Sequence, residues 1–240
     1  MLNLKEYIKE SILDDEDVVF NNDNIKSEIE KFIKNNYRCS RFVISNKPNK
    51  DGKFIVDGNS IQVINNNIVS LTNNFFIWGK VTRYFNCSYC DSLISLEGAP
   101  KEVGENFDCS YCKSLISLKG APEEVGWDFD CSYCKSLTSL EGAPKEVGKD
   151  FDCSKCNSLT SLKGAPEKVG IDFYCSGCNS LKSLEGAPKK VRGDFRCGDC
   201  SSLKSLEGAP EEVGETFSIY GNKFSIEDVK KIVKAKQIKI

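Results

Sequence analysis

The sequence predicts a β-rich solenoid. The first observation is a period of 22 residues between Phe85 and Phe217, which accommodates six copies without a gap. The second is the shared skeleton F-x-C-x-x-C-x-S-L-x-S-L-x-G-A-P-x-x-V, which places apolar residues at fixed positions. The third is that amphipathic segments flank the array, as its two open apolar ends require. A period of this length is typical of units that bury their apolar faces against neighbouring units.

Residues 1–38 are predicted to form an N-terminal helical segment, because apolar residues recur there at spacings of three and four. These residues are Leu4, Ile8 and Ile12, followed after an acidic break by Ile25, Ile29, Phe32 and Ile33. Residues 39–84 are predicted to complete the N-terminal cap and to hold a first degenerate repeat. Within them KFIVDGNSIQV, residues 53–63, places a D-G turn between two alternating apolar runs and predicts a hairpin.

Residues 85–216 form the six repeats, and each repeat contains a C-x-x-C pair. The pairs are separated by 18 residues, which resembles the spacing of a two-knuckle zinc site. The first cysteine, however, stands two residues after a phenylalanine, in the alternation of a short half-buried strand. The chain has no His, so such a site would use cysteine alone. Buried structural thiols are favoured, with bound metal as the alternative.

A second pattern accounts for more of these positions. Phe and the first Cys fill two inward strand positions, and the second Cys fills the ladder position where Asn is usual. Asn66 and Asn222, in the degenerate repeats at the two ends, are predicted to hold that same position. These residues resemble the leucine-rich-repeat family, specifically short cysteine-containing repeats of the SLEGAPKEVG type from bacteriophages and bacteria. The resemblance covers residues 61–224 and implies a right-handed coil, a parallel sheet on the concave face, and protein binding.

Residues 217–240 are predicted to contain the last degenerate repeat and a C-terminal capping helix. Ser225-Ile-Glu-Asp228 matches a capping box, and the helix is expected to continue to about Ala235. Its residues facing the last coil are expected to be Ile226, Val229, Ile232 and Val233. Within the array, Arg192 replaces the Gly that follows Val in the other copies, so the fifth and sixth coils are expected to be less regular.

The side chains that flank Phe and the first Cys are expected to point out of the concave sheet, because directions alternate along a strand. The candidate protein-binding residues are Tyr89, Asp108, Tyr111, Trp127, Asp130, Tyr133, Asp152, Lys155, Tyr174 and Arg196. Exposed aromatic residues are common anchors of interfaces, and a basic partner would relieve repulsion within a row of aspartates. The alternative is that the tyrosines only cover their neighbours. Two further columns, beginning at Glu97 and Lys101, alternate in sign and indicate a structural face.

Composition disfavours two classes of function. A formal net charge of -2 disfavours nucleic-acid binding, and the absence of His with carboxylates spread in columns disfavours an enzyme. No early apolar run is long enough for a signal peptide or a membrane span. We therefore expect a cytoplasmic, non-enzymatic, protein-binding chain with no cofactor, metal, nucleic acid or membrane partner. The resemblance adds a bacteriophage-encoded protein that engages a host or phage protein, for example by inhibiting a host defence factor. Self-association remains an alternative.

The first residues carry a further resemblance. MLNLKEYIKES is similar to the capsid-targeting peptides of large tailed bacteriophages, which are cleaved after an I-x-E or L-x-E triplet. Ile8-Lys9-Glu10 would be that triplet. It implies a structural or internal virion protein, whereas the favoured interpretation is an ordinary amphipathic helix that packs on the cap.

Overall fold

The computed structural model describes residues 22–73 and 76–240 and shows a β-solenoid of about eight turns with few helices. The N-terminal part contains α1 (Asn22–Asn36), β1 (Tyr37–Cys39), β2 (Phe42–Ile44), β3 (Phe54–Gly58), β4 (Ile61–Val63) and β5 (Phe76–Val81). The repeats then alternate two kinds of short strand, namely β6 (Phe85–Asn86), β7 (Glu102–Val103), β8 (Phe107–Asp108), β9 (Glu124–Val125), β10 (Phe129–Asp130), β11 (Glu146–Val147), β12 (Phe151–Asp152), β13 (Lys168–Val169), β14 (Phe173–Tyr174), β15 (Lys190–Val191) and β16 (Phe195–Arg196). The chain ends with β17 (Glu212–Ser218), α2 (Ile226–Lys230) and β18 (Lys234–Lys239).

The strands of the array form two parallel sheets. Sheet A joins the strands that contain the repeated Phe to β4, which has Ile61 at that place, in the order β4-β6-β8-β10-β12-β14-β16-β17. Sheet B joins β3 to the strands that contain the repeated Val from Val81 to Val169, in the order β3-β5-β7-β9-β11-β13. Equivalent residues pair in register, so Phe129 lies between Phe107 and Phe151. The sequence pattern predicts a single sheet, so sheet B is a difference. The F-x-C alternation indicates the strands of sheet A, whereas each repeat strand of sheet B contains a single apolar residue, Val, and shows no alternation.

The core consists of columns of identical side chains. The Phe rings of successive coils stack from Phe85 to Phe217 with centroids 5.1 to 5.6 Å apart. Both cysteines and both leucines of every repeat are buried beside them. Burial of each Phe contributes about 1.5–3 kcal/mol. Since the same residues meet at each junction, neighbouring coils stabilise one another in nearly the same way along the array.

The second cysteine of the second to sixth repeats donates a hydrogen bond to the preceding coil. Cys112 Sγ donates to the carbonyl oxygen of Cys87 at 3.1 Å, and the next four repeats form the equivalent bond. In the last coil Asn222 Nδ2 donates to the carbonyl of Cys197 at 3.0 Å, as predicted for the ladder position. At the other end the prediction was wrong by one residue, because Asn65 and not Asn66 occupies this place. The bond from Ile68 N to Asn65 O repeats that from Leu93 N to Cys90 O.

The glycine of the G-A-P segment is required by close stacking. Gly120 has φ +91°, and a Cβ atom there would lie 2.4 Å from Glu97 Cα in the preceding coil. The glycine after the repeated Val also has no space for a side chain, since a Cβ at Gly148 would lie 1.9 Å from the carbonyl oxygen of Gly126. Arg192 stands at this place in the fifth copy, and there sheet B is interrupted. β13 ends the sheet, and β15 pairs instead with β17.

The N-terminal cap differs from the predicted hairpin. β3 and β4 do not pair with each other, because the chain after β3 passes from sheet B to sheet A instead of reversing. The observed hairpin pairs β2 with β3, and β1 adds antiparallel to β4. α1 covers this end with Ile29 and Ile33 buried against the core. The first predicted helix and the Ile8-Lys9-Glu10 triplet lie outside the described residues.

The C-terminal cap has a shorter helix than predicted. The capping box is present, with Ser225 and Asp228 bonded reciprocally, but α2 ends at Lys230. The following residues form β18, which pairs parallel with β17 and so satisfies the free edge of sheet A. Val229 and Val233 are buried as expected, whereas Ile232 is exposed.

Candidate functional site

The candidate site is the exposed side of sheet A. The residues immediately before and after each Phe turn away from the core, as Asp128 and Asp130 do on either side of the buried Phe129. Tyr89, Tyr111 and Tyr133 follow four residues after the Phe of their own coils. We call this surface, from Tyr89 to Arg196, the tyrosine face.

The three tyrosines form a continuous stack. The ring centroids of Tyr89 and Tyr111 lie 4.7 Å apart at 6° between planes, and those of Tyr111 and Tyr133 lie 4.4 Å apart at 7°. Tyr89, at the end of the stack, is 56% exposed. The stacked rings therefore present an aromatic edge to solvent across three coils. The pKa of Tyr111 is raised by desolvation and by its two ring neighbours, with a further contribution from Asp130.

The backbone under the tyrosines is unusual. All three have φ near +58°, in the left-handed region that favours glycine. Lys155, Gly177 and Asp199 occupy the same place in the following coils with the same conformation. The Lys155 side chain extends over Gly177, since a Cβ there would meet its Cδ at 2.6 Å. Turn geometry alone would favour glycine or aspartate, so the tyrosines are held against the local backbone preference.

The predicted row of Asp108, Asp130 and Asp152 has a structural contact that sequence reasoning missed. Each Oδ1 accepts a hydrogen bond from the backbone N–H two residues later, which shapes the C-S-x-C turn. Asn86 holds this place in the first copy, and its Oδ1 accepts from Ser88 N at 3.0 Å. An amide therefore supports the same turn as a carboxylate.

A second acidic column lies on the other side of the phenylalanines. It contains Asp128, Asp150, Asp172 and Asp194, and each Oδ1 accepts the backbone N–H of the equivalent residue in the next coil. The repeated D-F-D pattern could have revealed this column, because both flanking residues share one side of the strand. The two columns together make the middle of the tyrosine face acidic.

Burial changes the protonation of these acids. Desolvation raises the pKa of Asp130 to about 6, although hydrogen bonds from Ser132 oppose the shift. The pKa of Asp152 is raised for the same reason. Neither carboxylate forms an ion pair with any residue in 22–73 or 76–240. The tyrosine face thus carries half-buried negative charge that the described part of the chain does not neutralise.

At its Arg196 end, the tyrosine face contains a cation that pairs with a neighbouring aspartate. Arg196 Nη2 lies 2.6 Å from Asp194 Oδ2, and its guanidinium carbon lies 5.4 Å from the ring centroid of Tyr174. The Tyr174 hydroxyl donates to Asp172. A depression of about 510 Å³ adjoins these residues and is also lined by Asp152 and Lys239.

Trp127 stands apart from the tyrosine stack. It lies in the turn between β9 and β10, where Lys149 Nζ lies 3.8 Å from its ring centroid. Its ring is 42% exposed. The structure therefore gathers the other nine predicted binding residues along sheet A and places Trp127 at the corner between the sheets.

The opposite surface is dominated by ion pairs. Of the alternating columns, Lys119 pairs with Glu97 at 2.7 Å and Lys163 with Glu185 at 3.3 Å. An open groove of about 1040 Å³ runs along sheet B, bounded by its Glu and Lys side chains and by the A-P segments. Such exposed pairs each contribute about 0–1 kcal/mol, so they fit a structural role.

The cysteines are placed as a hydrophobic ladder. All twelve repeat cysteines are buried and unbridged. Burial raises the pKa of the Cys112 thiol to about 12, and that of Cys87 rises well above its ordinary value. Within residues 22–73 and 76–240, no group of three or more His, Cys, Asp or Glu has a geometry that could hold a metal ion.

Over the same described ranges, no helix has the length and apolar character needed to cross a membrane. Comparisons with models of known protein families, with curated proteins and with solved structures found no match.

Proposed function

We propose that this chain is a non-enzymatic binding protein that recognises another protein through the tyrosine face. The observation that carries the proposal is the stack of Tyr89, Tyr111 and Tyr133, in which Tyr89 is exposed and the other two are partly exposed. Tyrosine is enriched at interface centres because its ring gives a large contact area and its hydroxyl gives a hydrogen bond. The rings here are already ordered by stacking, so binding would cost little side-chain entropy.

The position of the tyrosines supports the same proposal. They occupy left-handed backbone positions where Gly177 and Asp199 serve equally well in other coils. Such residues cost about 1–2 kcal/mol relative to glycine, and stacking offsets part of that cost. The turn itself does not need an aromatic side chain there, and a partly exposed aromatic side chain is a common anchor of interfaces.

The proposal keeps the expected context of a bacteriophage-encoded protein that acts in the cytoplasm on a host or phage protein. The resemblance of the SLEGAPKEVG repeats supports that context. Inhibition of a host defence protein is one concrete form, in which a stoichiometric complex masks the target.

The test is capture of a partner from host lysate by the tagged full-length chain, followed by reconstitution with the purified partner. Tyr111→Ala combined with Tyr133→Ala removes most of the stack, and we expect the reconstituted affinity to fall by about tenfold or more. Isothermal titration with the purified pair measures this change and the stoichiometry.

Ile116→Ala is the matched control, because Ile116 is an exposed apolar residue outside the tyrosine face. It is expected to leave the affinity within about twofold of the parent. An unchanged affinity in the double tyrosine variant, with its fold intact by circular dichroism, would exclude the tyrosine face as the binding surface.

A further inference from the structure

We infer that the segment recognised by the tyrosine face is basic and rich in arginine. This inference rests on the proposed function and names the chemistry of the partner. The occupant is an arginine-containing segment of another protein, whose guanidinium groups lie against the tyrosine rings and pair with the neighbouring aspartates.

The charge of the tyrosine face complements a cationic segment. The face carries two in-register columns of aspartates, and Asp130 and Asp152 form no ion pair with a described residue. Adjacent strands bring like charges to about 4.8 Å, which is unfavourable without a counter-charge. A cationic segment lying across the strands would neutralise several carboxylates at once.

The turn that follows each Phe does not need a carboxylate. Asn86 accepts the same turn-forming hydrogen bond from Ser88 that Asp130 accepts from Ser132. Asparagine at the later positions would keep this bond without repulsion or charge burial. The negative charge therefore has a use that the turn does not explain.

The same surface contains one intramolecular arginine that contacts both a tyrosine ring and an aspartate. Arg196 lies against the ring of Tyr174 while Nε and Nη2 reach Asp194 Oδ2 at 3.2 and 2.6 Å. Burial alone would raise the pKa of Asp194, but the bonds from Arg196 and Thr216 lower it. This arrangement shows how a guanidinium fits between ring and carboxylate on this sheet. In the coils of Tyr111 and Tyr133 the tyrosine is accompanied by Asp108 or Asp130, whereas the coil of Tyr89 has Asn86, and the incoming segment would supply the arginine.

Arginine fits better than lysine for a geometric reason. Its planar guanidinium stacks on an aromatic ring and bonds a carboxylate through two N–H groups, whereas an ammonium is a hydrated point charge. The stacked rings of Tyr111 and Tyr133 beside the row of Asp108, Asp130 and Asp152 offer both contacts in adjacent coils.

The experiment measures binding of fluorescein-labelled octapeptides to the full-length chain by anisotropy. One peptide alternates Arg with Gly, and a second alternates Lys with Gly. We expect saturable binding of the Arg peptide that weakens with added salt, and binding of the Lys peptide at least about threefold weaker. Absence of binding by the Arg peptide up to about 1 mM, or equal affinity for both peptides, would overturn the inference.

Two double variants locate the contact. Asp130→Asn with Asp152→Asn, and Tyr111→Ala with Tyr133→Ala, are each expected to weaken Arg-peptide binding by at least about fivefold. Glu123→Gln with Glu124→Gln is the matched control, since it changes net charge equally on residues exposed away from sheet A. Equal loss in the Glu and Asp variants would show non-specific attraction and overturn the inference.

The partner-capture assay separates this inference from the proposed function. If the purified partner is lost with the tyrosine variant, but binds the Asp130→Asn and Asp152→Asn variant normally and is not displaced by the Arg peptide, the face binds protein without arginine recognition. If the tyrosine variant retains the partner, the proposed function itself fails.

Discussion

At the scale of single residues, one side chain often has two roles. Asp130 shapes its turn through Oδ1 and carries a charge that the fold itself does not use. The second cysteine fills the core and donates to a carbonyl in the preceding coil, as Asn222 does in the last one. The identity of each residue therefore follows from two requirements, and only one of them is local.

Asp130→Asn is predicted to stabilise the protein at neutral pH by about 1 kcal/mol, because it removes a partly desolvated charge and keeps the turn. The pKa of Asp130 is raised in the folded state to about 6 from an ordinary 3.8, so its protonated form is favoured by folding. Its stabilising contribution is present below pH 4 and is lost as pH rises through about 6.

Chemical denaturation at pH 5 and pH 8 measures this effect. The gain from Asp130→Asn should be larger at pH 8 than at pH 5. Glu123→Gln, on an exposed residue elsewhere, should show little gain at either pH. A loss of stability at pH 8 in Asp130→Asn would contradict the assignment of the burial penalty.

At the scale of elements, each coil is defined by two dipeptide strands and by glycines that allow close stacking. Three parts of each coil contact the preceding coil at positions that recur along the array. They are the E-V strand, the glycine after it and the G-A-P glycine. Sheet B is interrupted where Arg192 replaces one of these glycines. Regular stacking of the coils therefore requires glycine, which has no Cβ atom, at a few backbone positions.

Gly120→Ala is predicted to destabilise the protein by more than about 2 kcal/mol. The added Cβ would need φ +91° and would lie 2.4 Å from backbone atoms of the neighbouring coil. Gly52→Ala is the control, because Gly52 also has positive φ (+75°) but a Cβ there would meet no atom within 4 Å beyond its chain neighbours. It should cost about 1 kcal/mol. Urea denaturation of both variants separates the steric cost from the conformational one, and equal losses would refute the steric explanation.

The 22-residue period predicts the elements that recur in every copy, but it does not predict those that depend on strand pairing. The Phe, Cys and Leu columns were predictable because one residue type recurs at one place in every copy. Sheet B was not, since its repeat strands contain a single apolar residue, Val, whereas the F-x-C pattern of sheet A shows an alternation. The hairpin of residues 53–63 and the long C-terminal helix failed for another reason. Their local signals were overridden by sheet edges that needed β1 and β18. On the tyrosine face, the columns were found but the turn-forming role of the aspartates was not.

At the scale of the whole molecule, twelve thiols are enclosed in one continuous core whose opening requires the coils to separate. Cys39, outside the repeats, is the one cysteine in the described ranges that is partly exposed. Because thiolates react far faster than thiols, raised pKa values add to the protection given by burial.

Brief treatment of the native, freshly reduced protein with a maleimide at pH 7 is predicted to modify Cys39 at most. In denaturant all thirteen cysteines should react, and intact-protein mass spectrometry counts the adducts. The matched variant Cys39→Ser should then remain unmodified in the native state. Rapid modification of several repeat cysteines without denaturant would contradict a closed core.

The in-register junctions also make the number of coils an adjustable quantity. Since Phe107–Phe129 and Phe129–Phe151 meet in the same way, a duplicate of one 22-residue unit can be inserted between existing copies without new packing. Duplication of the unit that carries Tyr111 would lengthen the aromatic stack by one ring, and its deletion would shorten it. A series of such chains would make contact length the only variable, and the dependence of affinity on ring number would measure how much of the surface one partner covers.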